Sequence, residues 1–136
     1  MKKFITILLA GILSFNASAN EELECLSQAI YHEARGEPLA GRIAVGWVVL
    51  NRVTSGRYPS SICEVVYQAK QFSWTDWMPS VNNATTYALT KQLARAIIQG
   101  AHTDPTNGAI YFNSLGLRPT PKSILTLRIQ NHYFYK

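Results

Sequence analysis

The sequence is poor in the features that would settle its class at once. No uncharged apolar run approaches the ~20 residues that a membrane-spanning helix needs. No block of Lys and Arg marks a nucleic-acid surface, and there is no internal repeat, low-complexity segment or linker to a second domain. The zinc-peptidase spacing H-E-x-x-H begins at His32-Glu33 and fails, because Gly36 stands where the second histidine belongs. The three histidines, His32, His102 and His132, are scattered without ligand spacing, so neither metal nor cofactor is expected. No nucleophile elbow surrounds a serine, and no glycine loop is built for phosphate.

What is present starts with an address. Met1-Lys2-Lys3 is positive, Phe4 to Leu13 is uncharged and mostly apolar, and Ala17-Ser18-Ala19 is a small-x-small cleavage site. This pattern predicts a secretory signal peptide at residues 1–19; an uncleaved anchor is the alternative. Removing 19 of 136 residues leaves 117, enough for one domain with one core. The mature chain would keep 11 of the 13 Lys and Arg against 8 acids, a net charge of +3. That excess suits an anionic polymer in general and does not single out nucleic acid. The expected location is the periplasm or the cell exterior, with no stable membrane insertion after cleavage and a monomeric chain. Cys25 and Cys63, an even pair in an oxidising compartment, suggest one bridge; two small buried thiols are the other reading.

The most chemically loaded stretch is Tyr31-His32-Glu33-Ala34-Arg35-Gly36-Glu37-Pro38. Upstream of it Leu23, Leu26 and Ile30 recur at steps of three and four, and Glu33 continues their face. Gly36 and Pro38 stop the helix, so Glu33 and Glu37 fall in different environments. A site that needs one protonated and one ionised carboxyl requires that asymmetry. Capping or ion pairing of Glu33 with Arg35 or Arg42 explains the same residues equally well.

Further along, Leu39 opens a second segment that is apolar nearly all round from Ile43 to Val53, with Trp47 and Leu50 expected in the core and Gly56 as a C-terminal cap. Ser61-Ile62-Cys63-Glu64 has capping-box spacing for a short helix through Gln68, which accounts for Glu64 structurally. Gln71 to Trp77 mixes polar and aromatic side chains, as a sugar site does and as a self-packed loop also does. A third long helix should run from Asn82-Asn83 to Gln99 with Ala84, Ala88, Leu89, Leu93, Ala96 and Ile97 on its packing face. Gly108 to Asn113 reads as a strand, and Leu125 to Tyr135 as extended chain closing a small C-terminal β-hairpin. The fold class is α+β, mostly helical. Carboxylate chemistry in an aromatic cleft of an exported protein points to glycosidic bonds.

Taken in order, the Tyr31–Pro38 stretch, the run Gly41 to Val53 ending in Asn51-Arg52-Val53, Tyr58-Pro59, Cys63 to Gln68, Gln71 to Trp74, the region of Asn113, and the ending Ile129 to Tyr135 resemble the cell wall hydrolases of the spore-cortex-lytic (SleB-like) family. The resemblance implies a lysozyme-like fold and peptidoglycan as the partner and substrate. It also implies Glu33 as the catalytic acid of a lytic transglycosylase, cutting between N-acetylmuramic acid and N-acetylglucosamine. Glu37, Gln71, Ser73, Tyr111, Asn113 and His132 become candidate substrate-binding residues by their places in the matched motifs. Residues 78–83 and 115–122 match no motif of that family. An inverting hydrolase would instead need a second carboxylate roughly 6.5–9.5 Å from the first, for which Glu37, Asp76 and Asp104 are candidates. A non-catalytic glycan-binding domain and a zinc amidase are the remaining alternatives.

Overall fold

Helix α1 (Ser14–Ala34) is the element against which the other helices pack: α2 (Leu39–Thr54), α3 (Ile62–Val66) and α4 (Ala84–Ile98) all touch it. The computed structural model describes residues 14–136; the positive start and the apolar run of the expected signal segment lie outside the described residues. Along α1, Leu26, Ala29 and Ile30 are fully buried and Leu23 nearly so, as the spacing of three and four requires. Each large aliphatic side chain buried this way contributes about 1.5–3 kcal/mol. The helix stops at Ala34, where the Glu37 N–H returns to the Ala34 carbonyl at 2.9 Å.

Helix α2 crosses the first helix at Gly46. A Cβ there would lie 2.8 Å from Ile97 Cδ1 and 3.1 Å from Ile30 Cδ1, so the close approach of α2 to both α1 and α4 depends on the missing side chain. The buried face of α2 is Gly41, Ala44, Val45, Val48, Val49 and Arg52. Trp47 and Leu50, expected in the core, are only half buried at its margin. Trp47 faces the chain after α4, where its indole N–H donates to the His102 carbonyl at 3.1 Å. Helix α2 ends at Thr54, with Ser55 as its C-cap and Gly56 following at φ +72°.

Helix α3 begins as the capping spacing predicts, with Ser61 Oγ accepting from the Glu64 N–H at 3.2 Å, but it ends at Val66 and not Gln68. Its first turn is tied to α1 twice. Glu22 accepts from the N–H groups of Ile62 and Cys63 at 2.6 and 3.0 Å, and Cys63 is disulfide-bonded to Cys25 with Cα atoms 5.2 Å apart. The carboxylate also sits favourably at the positive end of a helix.

Helix α4 is capped by Asn83, whose Oδ1 accepts from the Thr86 N–H at 2.9 Å. Its buried face is Thr90, Leu93, Ala94 and Ile97, while Ala84, Ala88 and Leu89 are exposed, a correction to the expected stripe. The reason lies in what the first turns meet. Tyr87 and Lys91 reach Glu24 on the polar edge of α1, so polar contacts replace apolar ones there.

The C-terminal part is a three-stranded antiparallel sheet, larger than the expected hairpin. Strands β2 (Leu125–Ile129) and β3 (His132–Tyr135) form that hairpin, and β1 (Tyr111–Asn113) adds to its other edge with Tyr111 opposite Tyr135 and Asn113 opposite Tyr133. Phe134 and Ala109 pack on Ala34, Ala44, Val45 and Val48 in a second small core. Asn51 and Arg52 anchor this region to α2: Asn51 Nδ2 donates to the Ala109 carbonyl at 3.0 Å and Arg52 Nε to the Ile110 carbonyl at 2.7 Å.

Replacing Cys25 and Cys63 together by alanine frees a loop with a sequence separation of 38. Urea denaturation should show a loss of about 3–4 kcal/mol against the oxidised parent in the chain-entropy model. An unchanged midpoint would mean that Glu22 and the α1/α3 core already fix that loop.

Candidate active site

Glu33 is the penultimate residue of α1, half buried where the apolar stripe of the helix runs out. Burial pushes its carboxyl above the ordinary value, and the neighbouring Trp74 indole N–H and Arg52 guanidinium oppose that rise only in part. The result is a carboxyl that holds its proton to higher pH than a solvated glutamate. Two side chains from other elements therefore define its environment.

Arg52 arrives from the buried face of α2 and is 5% exposed. Its guanidinium carbon lies 4.9 Å from the centre of the Tyr58 ring and 5.5 Å from that of Phe72, and its Nη1 has no hydrogen-bond partner. An ion so enclosed is fixed in position; its charge is available to Glu33 without reorganisation. Trp74 belongs to a short 3-10 turn, Ser73–Asp76, and its buried indole nitrogen likewise makes no hydrogen bond of ordinary geometry.

A chain of contacts along α1 holds Trp74 from the other side. The His32 ring lies 4.7 Å from the indole at 33°. His32 Nε2 is 2.9 Å from Gln28 Oε1, and Gln28 Nε2 donates to Glu24 Oε1 at 3.1 Å. The amide oxygen can only accept, so the His32 proton is on Nε2. Glu24 in turn receives the Tyr87 hydroxyl and Lys91 Nζ, the latter at 3.2 Å. Glu24, Gln28 and His32 are spaced by four, one above another on the helix. Burial and the nearby Arg35 hold the His32 imidazole below its usual value, so it is neutral at neutral pH.

In front of Glu33 lies a cleft of about 480 Å³. It is lined by Gln71, Ser73 and Asp76 from the segment after α3, and by Asn113 to Leu115 and His132 from the C-terminal part. Four of the sequence candidates, Gln71, Ser73, Asn113 and His132, thus share one cavity with Glu33. Gln71 and Ser73 are exposed while Phe72 and Trp74, which alternate with them, are buried, so the polar groups turn to the cleft and the rings pack on the core. The Asn113 amide is already engaged: Oδ1 accepts from the Gly116 N–H at 2.8 Å and Nδ2 donates to the Leu117 carbonyl at 2.7 Å. Asn113 shapes the rim loop.

Glu37 and Tyr111 lie outside the cleft lining. Glu37 pairs neither with Arg35 nor with Arg42; its Oε1 faces His132 Nδ1 at 3.9 Å, both side chains nearly buried. Burial lowers the His132 imidazole, with Glu37 opposing, and the balance leaves it below the usual value and neutral at neutral pH. Tyr111 lines a separate hollow with Arg57 and Lys122 and lies beside Tyr58.

Of the candidates for a second carboxylate, Asp76 shares the cleft with Glu33. Asp104 is committed elsewhere, accepting from Thr106 N and Oγ1 at 2.8 and 2.6 Å, Asn51 Nδ2 at 2.9 Å and Gly108 N at 2.9 Å. Burial alone would raise it, but these bonds hold it below the ordinary carboxylate range. Sequence reasoning missed Arg52 and Trp74 as neighbours of Glu33. The Asn-Arg pair inside an otherwise apolar helix was the available signal for the former.

Residues 36–135 match the family model described as Cell Wall Hydrolase, a span that begins three residues after Glu33. The spore cortex-lytic enzyme of Bacillus cereus is 30% identical over 99 residues, covering 71% of this chain and 36% of that protein. That of Bacillus subtilis is 32% identical over 96 residues, covering 69% and 30%. The chain therefore spans about a third of the length of these curated relatives. Among solved structures, the catalytic domain of the Bacillus cereus SleB protein superposes with a TM-score of 0.71 at 28% identity, covering 86% of this chain and 91% of that domain. The catalytic domain of the germination-specific lytic transglycosylase SleB from Bacillus anthracis gives 0.69 at 28%, covering 85% and 93%. The α+β, lysozyme-like fold expected from the motifs is thereby established.

The raised Glu33 carboxyl has a stability consequence. A folded-state value above the unfolded one means that stability falls as pH rises through the interval between them. Glu33→Gln should therefore raise Tm at pH 7, with the gain shrinking as pH is lowered below the ordinary glutamate range. Thermal unfolding across pH 3 to 8 measures it, and a mutant less stable at pH 7 would contradict the burial argument.

Proposed function

This chain belongs to the Cell Wall Hydrolase family, and from that membership and the setting of Glu33 we propose that it cleaves peptidoglycan glycan strands as a lytic transglycosylase. The observation that carries the proposal is a half-buried carboxyl, raised above its ordinary value, on the wall of a cleft that also presents Gln71, Ser73 and His132.

Protonated Glu33 gives its proton to the glycosidic oxygen between N-acetylmuramic acid and N-acetylglucosamine as the C1–O bond breaks. The carboxylate left behind is stabilised by the fixed Arg52 charge and the Trp74 N–H. It then takes the proton of the muramoyl C6 hydroxyl while O6 bonds to C1, closing a 1,6-anhydro ring and returning Glu33 to its starting state. One carboxyl completes the cycle, and no water is consumed. Gln71 and Ser73 offer hydrogen bonds to sugar hydroxyls, and the neutral His132 a further acceptor or donor.

The family and its relatives support action on peptidoglycan at the coarser level, and with it an exported protein. Residues 1–19 are proposed as the signal that exports it. Among the described residues no helix is long and apolar enough to cross a membrane. A second reading, an inverting hydrolase, draws on the presence of Asp76 in the same cleft.

Digestion of purified peptidoglycan followed by mass spectrometry of the muropeptides separates these. The expected products are anhydro-muramoyl ends, lost by about 10²–10⁴-fold in Glu33→Gln and retained in Asp76→Asn. On the alkaline side the rate should fall as Glu33 loses its proton, at a pH above that of an ordinary glutamate. Reducing ends abolished by Asp76→Asn would establish the hydrolase instead. Binding without release by the parent protein would leave a glycan-binding domain.

A further inference from the structure

The 3-10 turn Ser73–Asp76 has two sides. Ser73 and Asp76 line the cleft of Glu33, whereas Trp74 and the following Trp77 line a separate groove of about 280 Å³. Its other walls are His32, Arg35, Pro79 and Asn82. Apart from Trp74, whose indole N–H faces Glu33, no residue of this groove takes part in the proposed cleavage step.

Its chemistry is specific. No carboxylate lines it, and Arg35, exposed, has no ion-pair partner among the described residues. The guanidinium rests near the Tyr31 ring, 5.1 Å from its centre, which directs it without neutralising it. Asn82 Oδ1 is occupied by the Tyr31 hydroxyl at 2.9 Å, so the amide presents its N–H groups outward. Trp77 is 69% exposed, an unusual cost for an indole with nothing to cover it. Met78 next to it has φ +44°, a left-handed conformation that turns the chain immediately after the indole. A fixed cation, an amide donor and an open aromatic face together fit a ligand with a carboxylate and an aliphatic body.

We propose that this groove binds the carboxylate-bearing peptide stem of peptidoglycan, on the reading that the adjacent cleft holds its glycan strand. The stem leaves the strand at the muramic acid lactyl group, next to the bond that Glu33 would cut. Arg35 pairs with a stem carboxylate and Trp77 covers the aliphatic part of the stem. The same turn would then read glycan on one face and peptide on the other. The lactyl carboxylate of a strand stripped of its peptides is the other anionic source.

Two measurements test this. The first compares release of glycan fragments from intact peptidoglycan and from strands denuded of stems by an amidase, for the parent, Arg35→Ala and Trp77→Ala. The expected result is a loss on intact material at least fivefold greater than on denuded strands. Equal losses on both would assign the groove to the sugar or its lactyl group, and no loss on either would remove it from the substrate path. The second uses Glu33→Gln protein and the free tetrapeptide stem, following the Trp77 indole N–H by NMR. A saturable shift that Arg35→Ala abolishes is expected; no shift at millimolar peptide overturns the proposal. Because this binding readout does not depend on turnover, it stands even where the parent cleaves nothing, so the two readings fail separately.

Discussion

A carboxyl group kept from water at the end of a buried helix face sets the terms for the rest of this molecule. Left alone, such a group is expensive in its charged form and gains nothing from its helix, whose C-terminal carbonyls repel it. The fold supplies two countermeasures from distant parts of the chain, the Arg52 guanidinium and the Trp74 indole N–H. Neither is strong enough to bring Glu33 back to an ordinary value, and that incomplete compensation is what the proposed role, one carboxyl serving first as acid and then as base, requires. Arg52 has its own burial to offset, which it does through the Ile110 carbonyl and the rings of Tyr58 and Phe72. Removing any of these would be felt at Glu33 through the placement of the Arg52 charge.

The same requirement explains why α1 carries polar residues along one edge. Glu24, Gln28 and His32 form a ladder that ends on the face of Trp74, and Tyr87 and Lys91 of α4 fix its far end. Helix α4 thereby gives up an apolar contact over its first turns in exchange for orienting a ring two elements away. Elsewhere on α1, Glu22 and Cys25 hold α3, which leads directly into the segment bearing Gln71 to Trp77. The aromatic turn is thus tethered through its flanks, as a segment with only one short 3-10 turn of its own must be.

Much of this was legible in the sequence, for identifiable reasons. The helices announced themselves by spacing and caps: Ser61 and Asn83 cap where the patterns place them, and Gly36 with Pro38 ends α1 at Ala34. Glu33 stood out because a charged residue at the end of an apolar stripe breaks the pattern. What the pattern could not carry was anything set by pairing across the chain. Trp47 and Leu50 look as apolar as Val48 and Val49, yet only the position of α1 decides which side of α2 is covered. The exposed Leu89 and the buried Thr90 reflect where α4 meets the polar edge of α1. Glu37 has Arg35 and Arg42 beside it in sequence, whereas its neighbour in the fold, His132, comes from a strand almost a hundred residues on. Residues 78–83, silent as motif, became one wall of the Trp77 groove.

The distribution of carboxylates also bears on the choice between the two cleavage chemistries. Activating a water needs a base that is ionised and also held in place. Asp104 is ionised but tied to Thr106, Asn51 and Gly108 away from the cleft. Glu37 is held, but behind the His132 ring. Asp76 is at the cleft, yet exposed on the last residue of a short turn, with no hydrogen-bond partner among the described residues to orient it. A carboxylate of that kind is well suited to meet a sugar hydroxyl or a cation and poorly suited to aim a water, since nothing fixes its rotamer. Glu33 differs in being half buried beside the enclosed Arg52 guanidinium and the Trp74 indole. With a single carboxyl so placed, the proposed transglycosylase route, in which the nucleophile is the C6 hydroxyl carried by the substrate itself, fits the site better than the activation of a water.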